Sequence, residues 1–350
     1  MKIGFAVNNL ATESAHYTTT MLAYTATKMG HEVWYISIGD FAYDPDENIH
    51  AYAYQAPDAK YTSREDYIKA VQGEQAIAEY INVSFLDALL LRNNPADDAI
   101  TRPWARHSGI NFGRFAAKCG VLVLNDPEGL GNSSNKLYLQ QFPKSVRPRC
   151  LITRDRKQIE EFAKSEGGTV VIKPLFGSGG RNVFLLRPED APNAHQMIET
   201  VARDDYVIVQ EYLPEATKGD TRLFLLNGQP LECDGKIAAL RRVRSDNDTD
   251  MRSNMTAGAG AAQAIVDNKM LEIVDAIAPR LKHDGMFLVG LDIVGSKLME
   301  INVFTPGGLH SAEHFEQVDF SQTIILDIQH KVNMKRNGQF MMRNRELATL

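Results

Sequence analysis

The sequence predicts an α/β chain of successive subdomains from three features. Its first third alternates short apolar strands with amphipathic helices, a smaller α/β stretch follows Asn135, and the last third is rich in strand pairs joined by tight turns. The 350 residues leave room for several cores, and 44% hydrophobic with 23% charged residues is the balance of an ordinary globular protein. A net charge of −6 argues against a nucleic-acid partner, because phosphate binding leaves a basic footprint; acidic small substrates can still be met by local basic clusters. Cys119, Cys150 and Cys233 are too few and too widely spaced for a disulfide framework or a CxxC site, which fits a reducing cytoplasm. The opening residues read as a strand rather than a signal peptide, and no apolar run reaches membrane-spanning length, so no membrane partner is expected.

In order, Ile3 to Val7 is expected as a strand, Ser14 to Met29 as a helix stopped by Gly30, and Glu32 to Ile38 as a second, parallel strand. Asn8-Asn9-Leu10-Ala11 stands where a dinucleotide-binding fold would carry glycines, so that fold has little support. Residues 42–64, polar and Pro-containing, read as a loop or irregular ribbon, and 66–80 as a helix. A strand over 87–91 ends in Arg92-Asn93-Asn94-Pro95, at the edge where open α/β sheets bind ligands. A helix over 110–118, a strand over 121–124 and a short helix over 136–141 follow. From Pro148 to Leu213 the expected order is strand (150–153), helix (157–165), strand (169–174), Gly-rich turn, strand (182–186), helix (193–202) and strand (206–211). Asn227-Gly228 is a strong hairpin turn between strands at 223–226 and 230–234. The long polar segment 243–260 is expected to be functional or disordered. A helix over 267–283 precedes the last hairpin, and the basic tail is helical in part at most. The resulting domains are 1–126, 127–214 and 215–331, with a tail over 332–350.

The last hairpin, Leu288 to Val303, carries the densest chemistry. Glu300 and Asn302 share one strand face, and a three-residue loop, Gly295 to Lys297, would set Asp292 opposite Glu300, whereas a two-residue loop would set Met299 there. The longer loop is predicted. Two acids and an amide on one surface suit Mg²⁺ better than Zn²⁺, although a solvated edge strand would show the same residues.

Lys173 ends a buried-type strand just before Gly177-Ser178-Gly179-Gly180. Glycines there let backbone N–H groups approach an anion, and Lys173 and Lys136 are point charges suited to phosphates; taken singly, either feature is also that of an ordinary loop or surface lysine. Gln210-Glu211-Tyr212-Leu213 ends a strand at a subdomain junction, where backbone groups and an apolar wall can read a base. Arg241, Arg242 and Arg244 can receive carboxylates or form a solvated face. His310 and His314 are read as structural or surface residues, because further ligands are missing.

These segments, with Asn135-Lys136-Leu137, Gly219-Asp220-Thr221-Arg222 and Arg252-Ser253-Asn254, resemble the ATP-grasp superfamily, and within it the prokaryotic glutathione synthetases, over the chain up to Lys331. The resemblance implies an ATP-grasp fold with an N-terminal parallel α/β domain, a small lid domain and a C-terminal antiparallel sheet domain. It implies ATP contacts from Lys136, Lys173, Gly177, Ser178, Gly179, Gly180, Gln210, Glu211, Tyr212, Leu213 and Asp220. Two Mg²⁺ ions, with Mn²⁺ as a possible substitute, would be held by Asp292, Glu300 and Asn302. Catalytic roles fall to Arg222, Arg252 and Gly258, and substrate contacts to Arg92, Arg241, Asn254, Thr305, Gly307 and Gly308. The implied partners are a small-molecule carboxylate donor and an amine acceptor, in a homo-oligomer, typically a tetramer.

The chain departs from the family in two loops. Arg92-Asn93-Asn94-Pro95 replaces a usual Arg-Lys-Asp-Pro, and Phe304-Thr305-Pro306-Gly307-Gly308 follows Val303 where Thr-Ser-Pro-Thr is common. Glutathione synthesis from γ-glutamylcysteine and glycine is the leading expectation. An ATP-grasp peptide or amide ligase with another donor or acceptor is the alternative, and a non-catalytic nucleotide-binding module the second alternative; the retained lysine, carboxylate and asparagine set weighs against the latter.

Overall fold

The computed structural model describes all residues except 100, 178, 204, 244–259 and 339–341. In chain order β1 (Lys2–Val7), α1 (Thr18–Lys28), β2 (Glu32–Ser37), β3 (Phe41–Tyr43), β4 (Ile49–Gln55), α2 (Arg64–Gln72), β5 (Ile77–Asn82), β6 (Ala88–Leu91), α3 (Pro95–Asp98), α4 (Ser108–Lys118) and β7 (Leu122–Leu124) form the first layer. Its sheet runs β3-β4-β2-β1-β6-β7, with β5 on β4. The strands β2, β1, β6 and β7 are parallel, as the alternating sequence requires, but β3, β4 and β5 add an antiparallel ribbon. This corrects the loop expected over 42–64. In β4, Ile49, Ala51 and Ala53 are buried while His50 and Tyr52 turn outward, a period of two hidden by its polar and aromatic outer face. The helix expected over 66–80 stops at Gln72, before Gly73, and β5 follows. Helix α1 begins four residues later than expected, because Gln72 Nε2 donates to the carbonyls of Leu10 and Glu13 at 2.7 and 3.0 Å and holds the preceding residues as a loop.

After α5 (Pro127–Asn132), the second sheet comprises β8 (Cys150–Thr153), β9 (Val170–Pro174), β10 (Phe184–Leu186) and β11 (Val207–Glu211), in the order β10-β9-β11-β8, with α6 (Arg156–Ser165) and α7 (Ala191–Ala202) on it. Its core is small and separate, centred on Ile159, Val170, Ile172, Val207 and Val209.

The third sheet carries β12 (Asp220–Leu226), β13 (Gln229–Pro230), β16 (Ala239–Val243), β17 (Gly260–Gln263), β18 (Leu288–Val294) and β19 (Lys297–Asn302), and all its pairings are antiparallel. Asn227 and Gly228 both have positive φ, 54° and 73°, as a type I′ turn demands. The strand expected over 230–234 is broken: β14 (Glu232–Cys233) folds back on β15 (Lys236–Ile237). The ends of the long segment expected over 243–260 are paired, Val243 opposite Gly260. Helix α8 (Asn268–His283) packs under this sheet.

The last hairpin corrects the predicted loop. Val294 pairs with Lys297, so the turn has only Gly295 and Ser296, yet Asp292 still pairs with Glu300 because the register shifts between Asp292 and Ile293, leaving Met299 as the extra residue of a β-bulge. A bulge thus supplies the residue that a longer loop was expected to supply.

Helices α9 (Leu309–Glu316), α10 (Phe320–Arg336) and α11 (Asn344–Ala348) complete the chain. The expected boundary at 331/332 falls inside α10, whose Phe320, Ile324 and Ile328 share a core with Leu22 and Ala26 of α1. Asn344 closes the edge strand β7: its Oδ1 accepts from Val123 N at 2.8 Å, and its Nδ2 donates to Val123 O at 2.9 Å and to Asp126 Oδ2 at 2.8 Å. Among the described residues no helix is long and apolar enough to cross a membrane. Asn344→Ala, which unpairs the backbone groups of Val123, is expected to lower the unfolding free energy by about 1–3 kcal/mol in urea titrations; an unchanged midpoint would mean that the edge is held by packing alone.

Candidate active site

One face of the third sheet carries a row of charge across four strands. Register places Asp220 opposite Arg242, Arg222 opposite Asp292, and Asp292 opposite Glu300. Arg222 grips both oxygens of Asp292, its NH2 donating to Oδ2 at 2.9 Å, and Arg242 reaches the same Oδ2 at 2.7 Å while also binding Asp220. Gly290 makes room for this: a Cβ there would lie 3.0 Å from Arg222 Cδ and 2.9 Å from Pro306 Cβ. Burial by itself would raise the Asp292 carboxyl, but the guanidiniums of Arg222 and Arg242 outweigh it and hold the group well below the ordinary carboxylate range. The same carboxylates raise Arg242 against its own burial.

This row floors a cavity of about 1070 Å³ lined by all three layers. Lys173, at the end of β9, and Lys136 both line it. Burial pushes Lys173 down to about 8 despite the attraction of Glu300, with Lys136 adding repulsion; Lys136 is also lowered by burial. Lys136 Nζ donates to Gly177 O at 2.6 Å, so this lysine also shapes the glycine loop. In that loop Gly179 and Gly180 both have φ of 69°, a succession that favours glycine, and both face the cavity with Gly177. Ser178 lies outside the described residues. Gln210, Glu211, Tyr212 and Leu213 line the adjoining end, where Gln210 Nε2 approaches Met299 Sδ at 3.7 Å.

At the opposite end Arg92 is buried, donating from Nε to Thr19 Oγ1 at 3.2 Å and from NH1 and NH2 to the carbonyls of Phe304 and Pro306, each at 3.4 Å. Thr305, Gly307 and Gly308 line the cavity beside it, and Gly307 O accepts from Arg222 NH1 at 3.0 Å. Arg241 is different. It points out of the sheet to Lys218 O at 3.0 Å and does not line the cavity, whereas its neighbour Arg242 does, because adjacent strand residues face opposite sides. The expectation that Arg241 faces a substrate is therefore not met by its placement; of the two arginines, Arg242 is the one that lines the cavity. Arg252, Asn254 and Gly258 lie outside the described residues. Sequence reasoning missed Glu13, Thr18 and Met299, which also line the cavity. His310 lines it too, its Nδ1 3.0 Å from Arg64 NH2.

The acid, acid and amide of Asp292, Glu300 and Asn302 fit a hard divalent cation. Asn302 Nδ2 is turned toward Asp292 Oδ2 at 3.3 Å, which leaves the amide oxygen for another partner, and Asp292 Oδ1, which accepts from Arg222 Nε alone, retains a lone pair.

A small antiparallel sheet and a larger one gripping a cavity with two lysines, a glycine loop and an acid–acid–amide set define an ATP-grasp ligase, which joins a carboxylate to an amine using ATP. Residues 1–130 match the family described as prokaryotic glutathione synthetase, N-terminal domain, and residues 135–317 match prokaryotic glutathione synthetase, ATP-grasp domain. The chain belongs to the prokaryotic glutathione synthetase family. It is 30% identical over 337 residues to the glutathione synthetase of Synechocystis sp., covering 93% of this chain and 98% of that one. Against that of Gloeobacter violaceus it is 33% identical over 330 residues, covering 93% and 95%. Among solved structures, D-cycloserine synthetase DcsG superposes with a TM-score of 0.64 at 13% identity, covering 95% of this chain and 99% of that one. The ATP-grasp ligase PsnB complexed with minimal precursor, Mg and ADP superposes with a TM-score of 0.58 at 18% identity, covering 94% and 98%. At those identities the two structures speak for the fold alone.

A polyphosphate in the cavity must keep Lys173 charged, and the free ammonium is lost above pH 8 or so. Calorimetry with a non-hydrolysable ATP analogue is therefore expected to give about tenfold weaker binding at pH 9 than at pH 7, with uptake of roughly one proton at the higher pH. Equal affinities would show that Lys173 does not face the phosphates.

Proposed function

We propose that this chain makes glutathione from γ-glutamylcysteine and glycine, through an acylphosphate formed on the donor. The observation that carries the reading is the meeting, in one cavity, of the Asp292–Glu300–Asn302 oxygen set, Lys136 and Lys173, and Arg92 from the N-terminal layer. In this reading 1–126 binds the donor, 127–214 is the lid and 215–331 the catalytic layer, with 332–350 buttressing β7.

A donor carboxylate oxygen attacks the γ-phosphorus of ATP, the bond to the β-phosphate oxygen breaks, and ADP leaves. The amine nitrogen then adds to the acyl carbon, inorganic phosphate departs and the nitrogen loses its proton to solvent. Both steps ask for alignment and charge neutralisation rather than a side-chain nucleophile. Mg²⁺ held by Asp292, Glu300 and Asn302 would neutralise phosphate oxygens; two ions and replacement by Mn²⁺ belong to the same reading. Lys136 and Lys173 offset charge on the transferring group, and Arg222 does so from the sheet. Asp220 keeps Arg242 aimed at Asp292. Gln210 to Leu213 hold the base, and Thr305, Gly307 and Gly308 border the acceptor. Arg252, Gly258 and Asn254 would attend the tetrahedral intermediate and substrate. Water is the competing nucleophile, and its exclusion is supported by Arg106, whose guanidinium lies 3.9 Å from the centre of the Phe176 ring and ties the glycine loop to the N-terminal layer. The homotetramer belongs to this reading as well.

One observation favours the alternative of a larger amine acceptor: a Cβ at Gly307 would meet nothing within 4 Å. ADP release with Mg-ATP, γ-glutamylcysteine and glycine, each omitted in turn, is expected to require all three, and Glu300→Gln to reduce it by roughly two orders of magnitude, the scale of losing one preorganised charge-stabilising group. Release sustained by another amine in place of glycine would move the acceptor, and release independent of any donor would overturn the ligase reading.

A further inference from the structure

The N-terminal wall of the cavity holds two polar groups that nothing in the described chain satisfies. Glu13 Oε2 is shielded from solvent without a hydrogen-bond partner, and so is Thr18 Oγ1, in a residue only 2% exposed. Both residues line the cavity, with Thr19 and Arg92 beside them. Thr18 is the first residue of α1, an eleven-residue helix whose N-cap Tyr17 provides no side-chain cap and whose first turn contains no acid. The first intrahelical bond there is Met21 N to Tyr17 O, so the amides of the preceding turn are left to meet a ligand. An uncapped helix start, a buried unpartnered hydroxyl and the Arg92 guanidinium make a receptor for a carboxylate.

Glu13 has the opposite need. Burial pushes its carboxyl up to about 7, and the pull of Arg92 only partly offsets this. An acid kept shielded with one oxygen unsatisfied destabilises the fold, a cost removed when a ligand cation arrives.

We propose that Glu13 and the start of α1 together read the α-amino-acid end of the donor, Glu13 taking its ammonium and Thr18, the first-turn amides and Arg92 its α-carboxylate. This inference rests on the glutathione synthetase reading and deepens it. It explains selection of a γ-linked donor: only there do ammonium and carboxylate stand free on one carbon, whereas an α-linked glutamyl peptide has its α-carboxyl tied up in the amide. Neither group takes part in the phosphoryl transfer, so the pair acts on specificity.

The test measures donor KM and kcat by ADP release at saturating Mg-ATP and glycine, for wild type, Glu13→Gln and Thr18→Val. The donors are γ-glutamylcysteine, α-glutamylcysteine and glutarylcysteine, which lacks the ammonium. Glu13→Gln is expected to raise KM for γ-glutamylcysteine at least about tenfold, with kcat within about threefold, and to leave KM for glutarylcysteine unchanged. Thr18→Val is expected to raise KM for γ-glutamylcysteine and for glutarylcysteine, both of which carry the carboxylate that Thr18 would meet, more than for α-glutamylcysteine; an equal rise for all three would overturn the inference. Melting of Glu13→Gln at pH 8 should be no lower than wild type, since a buried charge has been removed. A lower melting temperature, or equal KM changes for γ-glutamylcysteine and glutarylcysteine in that variant, would overturn the inference while leaving the ligase reading intact. Absence of wild-type turnover with every donor would overturn the ligase reading itself.

Discussion

The bidentate pair between Arg222 and Asp292 is the constraint on which the rest of the site depends. It lies at the centre of the third sheet, where β12 and β18 are paired along their whole facing length, and it is buried on both sides. Two charges removed from water are tolerated only when geometry and partners are complete. Arg242 provides the completion from β16, and Asp220 in turn satisfies Arg242. The chain of alternating charges fixes three strands in one register and keeps Asp292 ionised, the form that a divalent cation requires.

Around that fixed row, the other layers contribute groups whose charge is less secure. Lys173 and Lys136 are weakened by burial, and Glu13 is pushed toward neutrality. Each has an environment that an oppositely charged ligand group would improve, because an anion would favour the charged form of the lysines and a cation that of the acid. The charges of the third sheet are thus satisfied within the chain, whereas the walls that the second sheet and the N-terminal layer give the cavity hold charges that burial disfavours.

Much of this was legible in the sequence where residue type and period coincided. The alternation of Asp292, Glu300 and Asn302 with apolar neighbours placed them on one face, and Asn227-Gly228 announced its turn. The failures are physical too. Arg241 and Arg242 are adjacent, so an error of one residue in strand phase exchanges the buried guanidinium for the exposed one. β4 escaped notice because its outward side chains are aromatic and polar, and β5 because its exposed residues lack an apolar stripe. Glu13 sits in a loop without period; only its placement against Arg92 reveals a shielded acid.

The bulge at Met299 has a consequence for how this protein can change over generations. The extra residue keeps Asp292 opposite Glu300 and also puts the Met299 thioether beside Gln210 in the cavity. The facing of Asp292 and Glu300 and the cavity wall at Gln210 therefore hang on one codon. Exchanging Met299 for another residue leaves the pairing count intact, but deleting any single codon between Ile293 and Glu300 disturbs both features together. Drift in this hairpin should proceed by substitution, with insertions and deletions purged.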